Sequence, residues 1–351
     1  MTGMMERLPT ELMQEVMEYS DKPTIHSFTI VSLKYCEIAQ PLIFRRISIN
    51  VMTNERLAHF VGQMQNSNKL ALMIKVLIIG RPYAIKLLRH LFEIISNLEE
   101  LRMQFPAAIS LLSPHYFPNL RRLHFNFLFC SPELFIHIIT NFIPRHEFLN
   151  VLKIPLVPSS PTSNRVALSM PPFAESAAAS SVNRLVTYHG PRDLLRLLTP
   201  DSSMKHVTSS QQLDEGTLRK LSRVVSRGLL SLIIDDPTDV NTYKTLPASL
   251  IPSLFPNLRS IAWLSVDDTS VSVIDQLPHL CRIWFRSMHF GGLPESVQAF
   301  ITRIIELSAK NNRPLREIRL YAPGGHPFSL TYSKTSVWSH KEGLPIKPFV
   351  S

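Results

Sequence analysis

One short pattern recurs along most of the chain: an apolar residue, two others, a second apolar residue, one other, and usually a third apolar residue. It stands, for example, at Leu98–Met103, Leu120–Phe125 and Leu280–Phe285. Alternating apolar positions in such short runs are typical of strands with one buried face. The runs return about every 22 to 35 residues, and segments with helical spacing lie between them. Each unit is therefore predicted to be a strand followed by a helix.

The fourth residue of each run marks a predicted strand. These residues are Leu77, Leu101, Leu123, Leu152, Leu185, Val207, Leu232, Ile261, Ile283 and Ile318. Most of the spacings fall within or close to the period of leucine-rich repeats, about 20–29 residues. The sequence therefore predicts a curved α/β solenoid of leucine-rich-repeat type over residues 48–321. A domain of alternating helices and strands with a parallel sheet would give several of the same cues.

A compact helical segment precedes these units, between Leu8 and Ile47. Pro9 suits the first turn of a helix, and Leu12 and Val16 follow at helical spacing. The residue before a proline avoids the helical region, so the first helix is expected to stop before Pro23, and the last segment before Pro41. The segment is predicted to form three short helices.

This segment resembles an F-box in the form common among fungal F-box proteins, and the match runs without a gap from Leu8 to Phe44. The shared residues are Leu8, Pro9, Glu11, Leu12, Val16, Asp21, Val31, Ser32, Tyr35, and Ala39 to Phe44. Leu33 stands where the family usually has a basic residue. With the resemblance, the predicted fold class is α+β. A small three-helix F-box at 1–47 would be followed by the leucine-rich-repeat-like domain at 48–321, with a long loop at 155–181 and a C-terminal tail or cap at 322–351.

The resemblance implies docking onto the small adaptor subunit of a cullin–RING ubiquitin ligase. The residues expected to form the docking module are Leu8, Pro9, Leu12, Val16, Ile25, Phe28, Val31 and Tyr35. The sequence does not separate residues that touch the adaptor from those that pack the three helices together. The function expected is that of a substrate-receptor subunit. The alternative is a repeat scaffold that acts outside ubiquitin transfer.

The composition argues against a nucleic-acid-binding protein, a membrane protein and a disulfide-rich or zinc-binding protein. The net charge is +10, but no run of five or six basic residues occurs, so a dispersed excess is favoured over a nucleic-acid or acidic-membrane site. No window suggests a transmembrane helix. Three widely separated cysteines indicate neither a disulfide framework nor a zinc site, which favours the cytoplasm or the nucleus.

No motif of a nucleophile elbow, phosphate-binding loop or zinc protease occurs, so we predict no catalytic residue, metal or cofactor.

The expected binding surface is the set of strand residues between the buried apolar positions. A basic and aromatic patch is predicted to capture an acidic or phosphorylated segment of a target protein, because arginine binds carboxylate and phosphate well. Its residues are Arg122, His124, Arg282, Trp284, Arg286, Arg319 and Tyr321. Ordinary solvated strand residues would give the same pattern.

Overall fold

The computed structural model describes residues 9–50, 52–80, 84–104, 109–112, 114–125, 136–154, 179–209, 213–225, 228–234, 248–286, 295–311, 315–321, 328–332 and 338–340. The chain divides into two compact units, Met1–Lys153 and Ile154–Ser351. Most of the predicted loop at 155–181 and most of the tail at 322–351 lie outside the described residues.

The first unit begins with three helices: α1 (Thr10–Glu18), α2 (Lys22–Thr29) and α3 (Leu33–Arg45). The side chains of Asp21 and Ser32 cap α2 and α3 by accepting backbone N–H groups of the first turn, which helix starts otherwise leave unpaired. Pro41 lies inside α3 and does not end it, contrary to the sequence prediction. Helix α3 therefore runs on to Arg45, and the first strand follows directly.

The strands of the first unit pair in chain order, and each neighbouring pair is parallel. They are β1 (Arg46–Ser48), β2 (Val76–Ile79), β3 (Glu100–Met103), β4 (Arg122–Phe125) and β5 (Val151–Lys153). The helices between them are α4 (Asn54–Asn66), α5 (Asn68–Met73), α6 (Ile85–Ile94) and α7 (Ile109–Leu112), with a π-helical segment (Ile138–Phe142) that continues into a 3₁₀ turn (Ile143–Arg145).

The pairing register brings one apolar residue of each strand into a single row. Leu77, Leu101, Leu123 and Leu152 occupy neighbouring positions in this row, and all four are 0% exposed. We call this row the core row and the opposite side of the strands the outer face. Since side chains alternate along a strand, residues two apart, such as Glu100 and Arg102, share the outer face.

The second unit repeats this arrangement. Its strands are β6 (Thr187–Gly190), β7 (His206–Ser209), β8 (Ser231–Ile234), β9 (Ser260–Ser265), β10 (Arg282–Arg286), β11 (Glu317–Tyr321), β12 (Phe328–Tyr332) and β13 (Trp338–His340). Strands β6 to β11 pair in parallel, and β12 and β13 add antiparallel strands beside β11. The helices are α8 (Glu215–Val225), α9 (Ile251–Leu254), α10 (Asp268–Asp275) and α11 (Glu295–Lys310), with 3₁₀ turns at Arg192–Leu197 and Ala248–Leu250.

The predicted fold class is wrong. The sequence predicts an α+β chain, a small three-helix F-box followed by a curved leucine-rich-repeat-like solenoid, and the structure is an α/β fold. Its strands β1 to β5 and β6 to β11 are parallel, with helices in the connections between strands. Strand β1 follows α3 without a break, so the N-terminal helices lead directly into the parallel sheet. The recurring apolar pattern marks strands at nine of its ten predicted positions, and Leu185 is the exception because it lies before β6. Alternating strands and helices give this pattern in either architecture.

A buried histidine, His146, joins two connections of the first unit. It is 1% exposed, and its ring stacks on Phe142 with the ring centroids 4.1 Å apart. The Phe117 backbone N–H donates to His146 Nε2 at 3.1 Å, and His146 Nδ1 lies 2.8 Å from the Phe142 carbonyl oxygen. Nε2 accepts, so Nδ1 carries the proton and donates, and the imidazole is neutral. Burial lowers the pKa of His146, and the charge of Arg145 acts in the same direction, against the Phe142 hydrogen bond.

We expect acid to destabilise the first unit through His146. Its pKa is lowered in the folded chain, so below about pH 6.5 the unfolded chain binds the proton more readily than the folded chain. The free energy of unfolding therefore decreases as the pH is lowered. One histidine contributes at most about 1.4 kcal/mol per pH unit. Urea unfolding between pH 5 and pH 7.5 should show a smaller pH dependence in His146→Gln than in the native chain. His59→Gln, at an exposed position of α4, is the control, and an equal change in both variants would contradict the expectation.

Candidate functional site

The three N-terminal helices have a small core of their own. Met13 and Met17 of α1 are 0% exposed, and they meet Ile25 of α2 and Tyr35 of α3, with Ala39 one turn further on. Neighbouring side chains that pack partly against this core are Phe28, Ile38, Leu42 and Ile43. The Phe28 and Tyr35 rings meet edge to face, 6.0 Å apart. This core accounts for only part of the apolar residues in the segment.

A second set of apolar side chains in the same helices is exposed to solvent. They are Leu12 (48%), Val16 (45%), Tyr19 (86%), Ile30 (87%), Val31 (53%) and Leu33 (86%). We call this set the docking face. Leu12, Val16 and Tyr19 are spaced by four and three residues, so they share one side of α1. Ile30, Val31 and Leu33 lie close together in sequence, from the turn after α2 to the first residue of α3. Groups of exposed apolar side chains are typical of interaction sites, whereas single ones are ordinary.

The structure separates the residues that the sequence groups as one docking module. Leu12, Val16 and Val31 belong to the docking face, and Pro9, directly before α1, is also exposed. Ile25 and Tyr35 are buried in the helical core, and Phe28 packs partly against it. Leu8 lies outside the described residues.

Sequence reasoning did not include Tyr19, Ile30 and Leu33 among the docking residues. Tyr19 continues the helical spacing of Leu12 and Val16, which is a signal that the sequence contains. Leu33 is an apolar residue where the family pattern usually has a basic one, and its side chain is 86% exposed. Ile30 precedes Val31 in the turn between α2 and α3, where no period applies.

On the outer face of the first unit, one carboxylate lies between two arginines. Glu100 is only 5% exposed, and its Oε1 accepts a hydrogen bond from Arg102 Nε. Arg122 stands opposite Glu100 in the parallel register, with its Nη1 3.5 Å from Glu100 Oε2. Burial alone would raise the pKa of Glu100, but the Arg102 hydrogen bond and the charges of Arg102, His124 and Arg122 outweigh it, and the pKa is lowered. Glu100 is therefore ionised and holds both arginines.

His124 and Lys153 extend this cluster along the outer face. The register sets Arg102 beside His124, and His124 beside Lys153, on three neighbouring strands. His124 Nε2 is buried and has no hydrogen-bond partner among the described residues. Burial lowers the pKa of His124, and the charges of Arg102, Lys153 and Arg122 lower it further against the effect of Glu100. We call Glu100, Arg102, Arg122, His124 and Lys153 the first cluster.

The second unit contains a related arrangement on β10 and β11. Glu317 Oε1 lies 2.6 Å from Arg319 Nη2, and Glu317 Oε2 lies 3.7 Å from Nε of Arg282, its partner in register. Arg319 in turn lies over the ring of Trp284, 4.9 Å from its centroid, which adds a cation–π contact. Both units thus set a Glu–apolar–Arg strand beside a second arginine. In the second unit a tryptophan takes the place of the histidine.

The predicted basic and aromatic patch is therefore divided between the two units. Arg122 and His124 belong to the first cluster, and Arg282, Trp284 and Arg319 belong to the arrangement on β10 and β11. Arg286 and Tyr321 pair in register at the ends of those strands, and their side chains lie outside the described part. The predicted patch did not include Arg102 and Lys153, although the alternation of the strand residues places both on the outer face.

The described residues contain no group of three or more His, Cys, Asp and Glu side chains that could hold a metal ion. None of their helices has the length and apolar character needed to cross a membrane. Comparison with known proteins adds no family: no model of a protein family matches the chain, and no curated protein matches it significantly.

Proposed function

We propose that this chain is a substrate-receptor subunit of a cullin–RING ubiquitin ligase, and that the docking face binds the small adaptor subunit. The observation that carries the proposal is the division of the apolar residues in α1, α2 and α3. One set fills the core of the three helices, and the other, with Leu12, Val16 and Val31, is exposed. The segment that resembles an F-box thus has apolar surface to offer a partner.

The exposed set has the chemistry of a protein interface. Interface centres are enriched in aromatic and large apolar side chains and depleted of charge. Exposing such residues is unfavourable in water, at about 25 cal/mol per Å² of apolar surface, and a partner that covers them removes this cost. The docking face contains one aromatic and five aliphatic side chains, and exposed Glu15 borders it on the same side of α1.

In this function the chain supplies position and no bond chemistry. The docking face holds the chain on the adaptor, and the outer face of the strands holds the target near the ubiquitin carrier. Two molecules held in one assembly meet at a high effective concentration, which speeds transfer without a catalytic group in the receptor. Such ligases act in the cytoplasm and the nucleus, and the free thiols of Cys36 and Cys281 suit either compartment.

Co-purification with the adaptor tests the proposal. Tagged full-length chain, co-expressed with the adaptor, is expected to elute with it as a stoichiometric complex in size-exclusion chromatography. Addition of the cullin, the RING subunit and charged ubiquitin carrier should then give ubiquitination of the receptor chain itself, so no known target is needed. An adaptor that elutes apart from the chain would overturn the proposal. A complex that forms but supports no ubiquitin transfer would favour a scaffold acting outside ubiquitination.

A further inference from the structure

We propose that Arg102, Arg122 and Lys153 form a binding site for a phosphate monoester on the outer face of β3, β4 and β5, next to His124. The proposal rests on the proposed function in one respect, that the phosphate monoester belongs to a phosphorylated segment of the target protein. The site itself is inferred from the geometry and charge of the first cluster.

The strand register brings the cations together. Neighbouring strands lie about 4.8 Å apart, and Arg102, His124 and Lys153 stand side by side on three of them. Arg122 lies two residues before His124 on the same strand and therefore on the same face. Long arginine and lysine side chains that start within two strand spacings can reach one phosphate group together.

Glu100 prepares the arginines for an anion. It accepts a hydrogen bond from Arg102 Nε, while the Arg102 side chain stays 34% exposed and accessible to a ligand. Glu100 is 5% exposed, so it is fixed within the sheet and sets the direction of the guanidinium. A guanidinium already held in place loses less rotamer freedom on binding, which favours bidentate contact with phosphate oxygens.

The charge of the first cluster fits a dianion. Arg102, Arg122 and Lys153 carry three positive charges against the single carboxylate of Glu100, and no ion pair of Lys153 occurs within the described ranges. A phosphate monoester carries a charge of about −1.5 to −2 at pH 7, which offsets this excess more closely than one carboxylate would. On β10 and β11, Arg282 and Arg319 share Glu317, and Arg319 lies over Trp284. The excess of positive charge at the described side chains is thus larger in the first cluster.

His124 lies between Arg102 and Lys153 in the strand register of the first cluster. Its Nε2 is buried and unpartnered within the described structure, and a buried polar atom without a partner is unfavourable. The charged groups around the ring are Glu100 and Arg102 on β3, Arg122 on its own strand and Lys153 on β5. A bound dianion would offset the three cations that oppose protonation of the imidazole. The pKa of His124 is therefore expected to rise on binding, as an NMR titration with and without inorganic phosphate would show.

Peptide binding to the full-length chain tests the site directly. The probe is a fluorescein-labelled phosphoserine peptide flanked by glycines, followed by fluorescence anisotropy. We expect it to bind, the unphosphorylated and glutamate peptides to bind much more weakly, and inorganic phosphate to compete. Lys153→Ala should weaken binding about tenfold to a hundredfold, the range for one charge-assisted contact. Lys153 is the residue to change because it has no role in holding Glu100.

Lys205→Ala is the matched control, since it removes the same charge from an exposed position before β7 in the second unit. Equal losses in the two variants would overturn the site and indicate dispersed charge. Tighter binding of a single-stranded oligonucleotide through Lys153 would overturn the assignment to a phosphopeptide, as would inorganic phosphate binding as tightly as the peptide. These assays contain no adaptor, so their failure would leave adaptor docking intact. Likewise, failure of co-purification would leave the phosphate site intact.

Discussion

Replacement of Leu12 by glutamate is expected to weaken adaptor binding by about 30-fold to 1,000-fold, the effect of losing a central interface residue. Leu12 is 48% exposed on α1 and belongs to the docking face, and it takes no part in the core of the three helices. A carboxylate at this position would have to lose its water shell against an apolar partner without an ion-pair partner of its own. Isothermal titration of the adaptor into the purified variant would measure the loss.

Ile85→Glu provides the matched control. Ile85 is 56% exposed in the first turn of α6, where a glutamate is as compatible with the helix as at Leu12. Both variants should keep the circular dichroism spectrum of the native chain, because neither position is buried. Native affinity in Leu12→Glu, or equal losses in the two variants, would exclude the docking face as the adaptor site.

Replacement of Leu123 by alanine is expected to lower the free energy of unfolding of the first unit by about 2 to 5 kcal/mol. Leu123 is 0% exposed and stands in the core row between Leu101 and Leu152, its partners on the two neighbouring strands. Loss of the side chain removes buried apolar surface and leaves a cavity. Because β4 is hydrogen-bonded to a strand on each side, it can shift little to fill that cavity. Urea denaturation followed by circular dichroism would measure the change.

Arg121→Ala is the control for Leu123→Ala. Arg121 is exposed and lies just before β4, so its replacement should change the free energy of unfolding by about 0.5 kcal/mol or less. A loss in Leu123→Ala no larger than in Arg121→Ala would show that the core row does not carry the stability of the first unit.

Most of the parallel strands could be predicted from the sequence because the second apolar residue of the run, such as Leu101 or Ile283, is a buried position in a short strand. The fold class could not, because the pattern reports which side of each strand is buried and contains nothing on how successive strands are arranged. Strand β1 was missed since it has only three residues, too few for a recognisable alternation, and its pairing with β2 is a long-range contact.

The candidate site was predicted only in part for a similar reason. Helical spacing shows that Leu12 and Ile25 are apolar positions of helices, but burial depends on which helices pack together. The same holds for the predicted patch. Alternation places Arg122 and Arg282 on an outer face, whereas the pairing of each with a glutamate depends on strand register, which no local pattern specifies.

The direct passage from α3 into β1 has a consequence for aggregation. Arg46, Ile47 and Ser48 pair with β2, and the Lys75 N–H donates to the Arg45 carbonyl oxygen at 3.0 Å. A chain cut after Ser48 would lose β1 together with the helices and leave the apolar strand Val76–Ile79 with an unpaired edge. Such an edge is a template for pairing with a second chain. The segment that offers the docking face therefore also protects the sheet of the first unit from self-association.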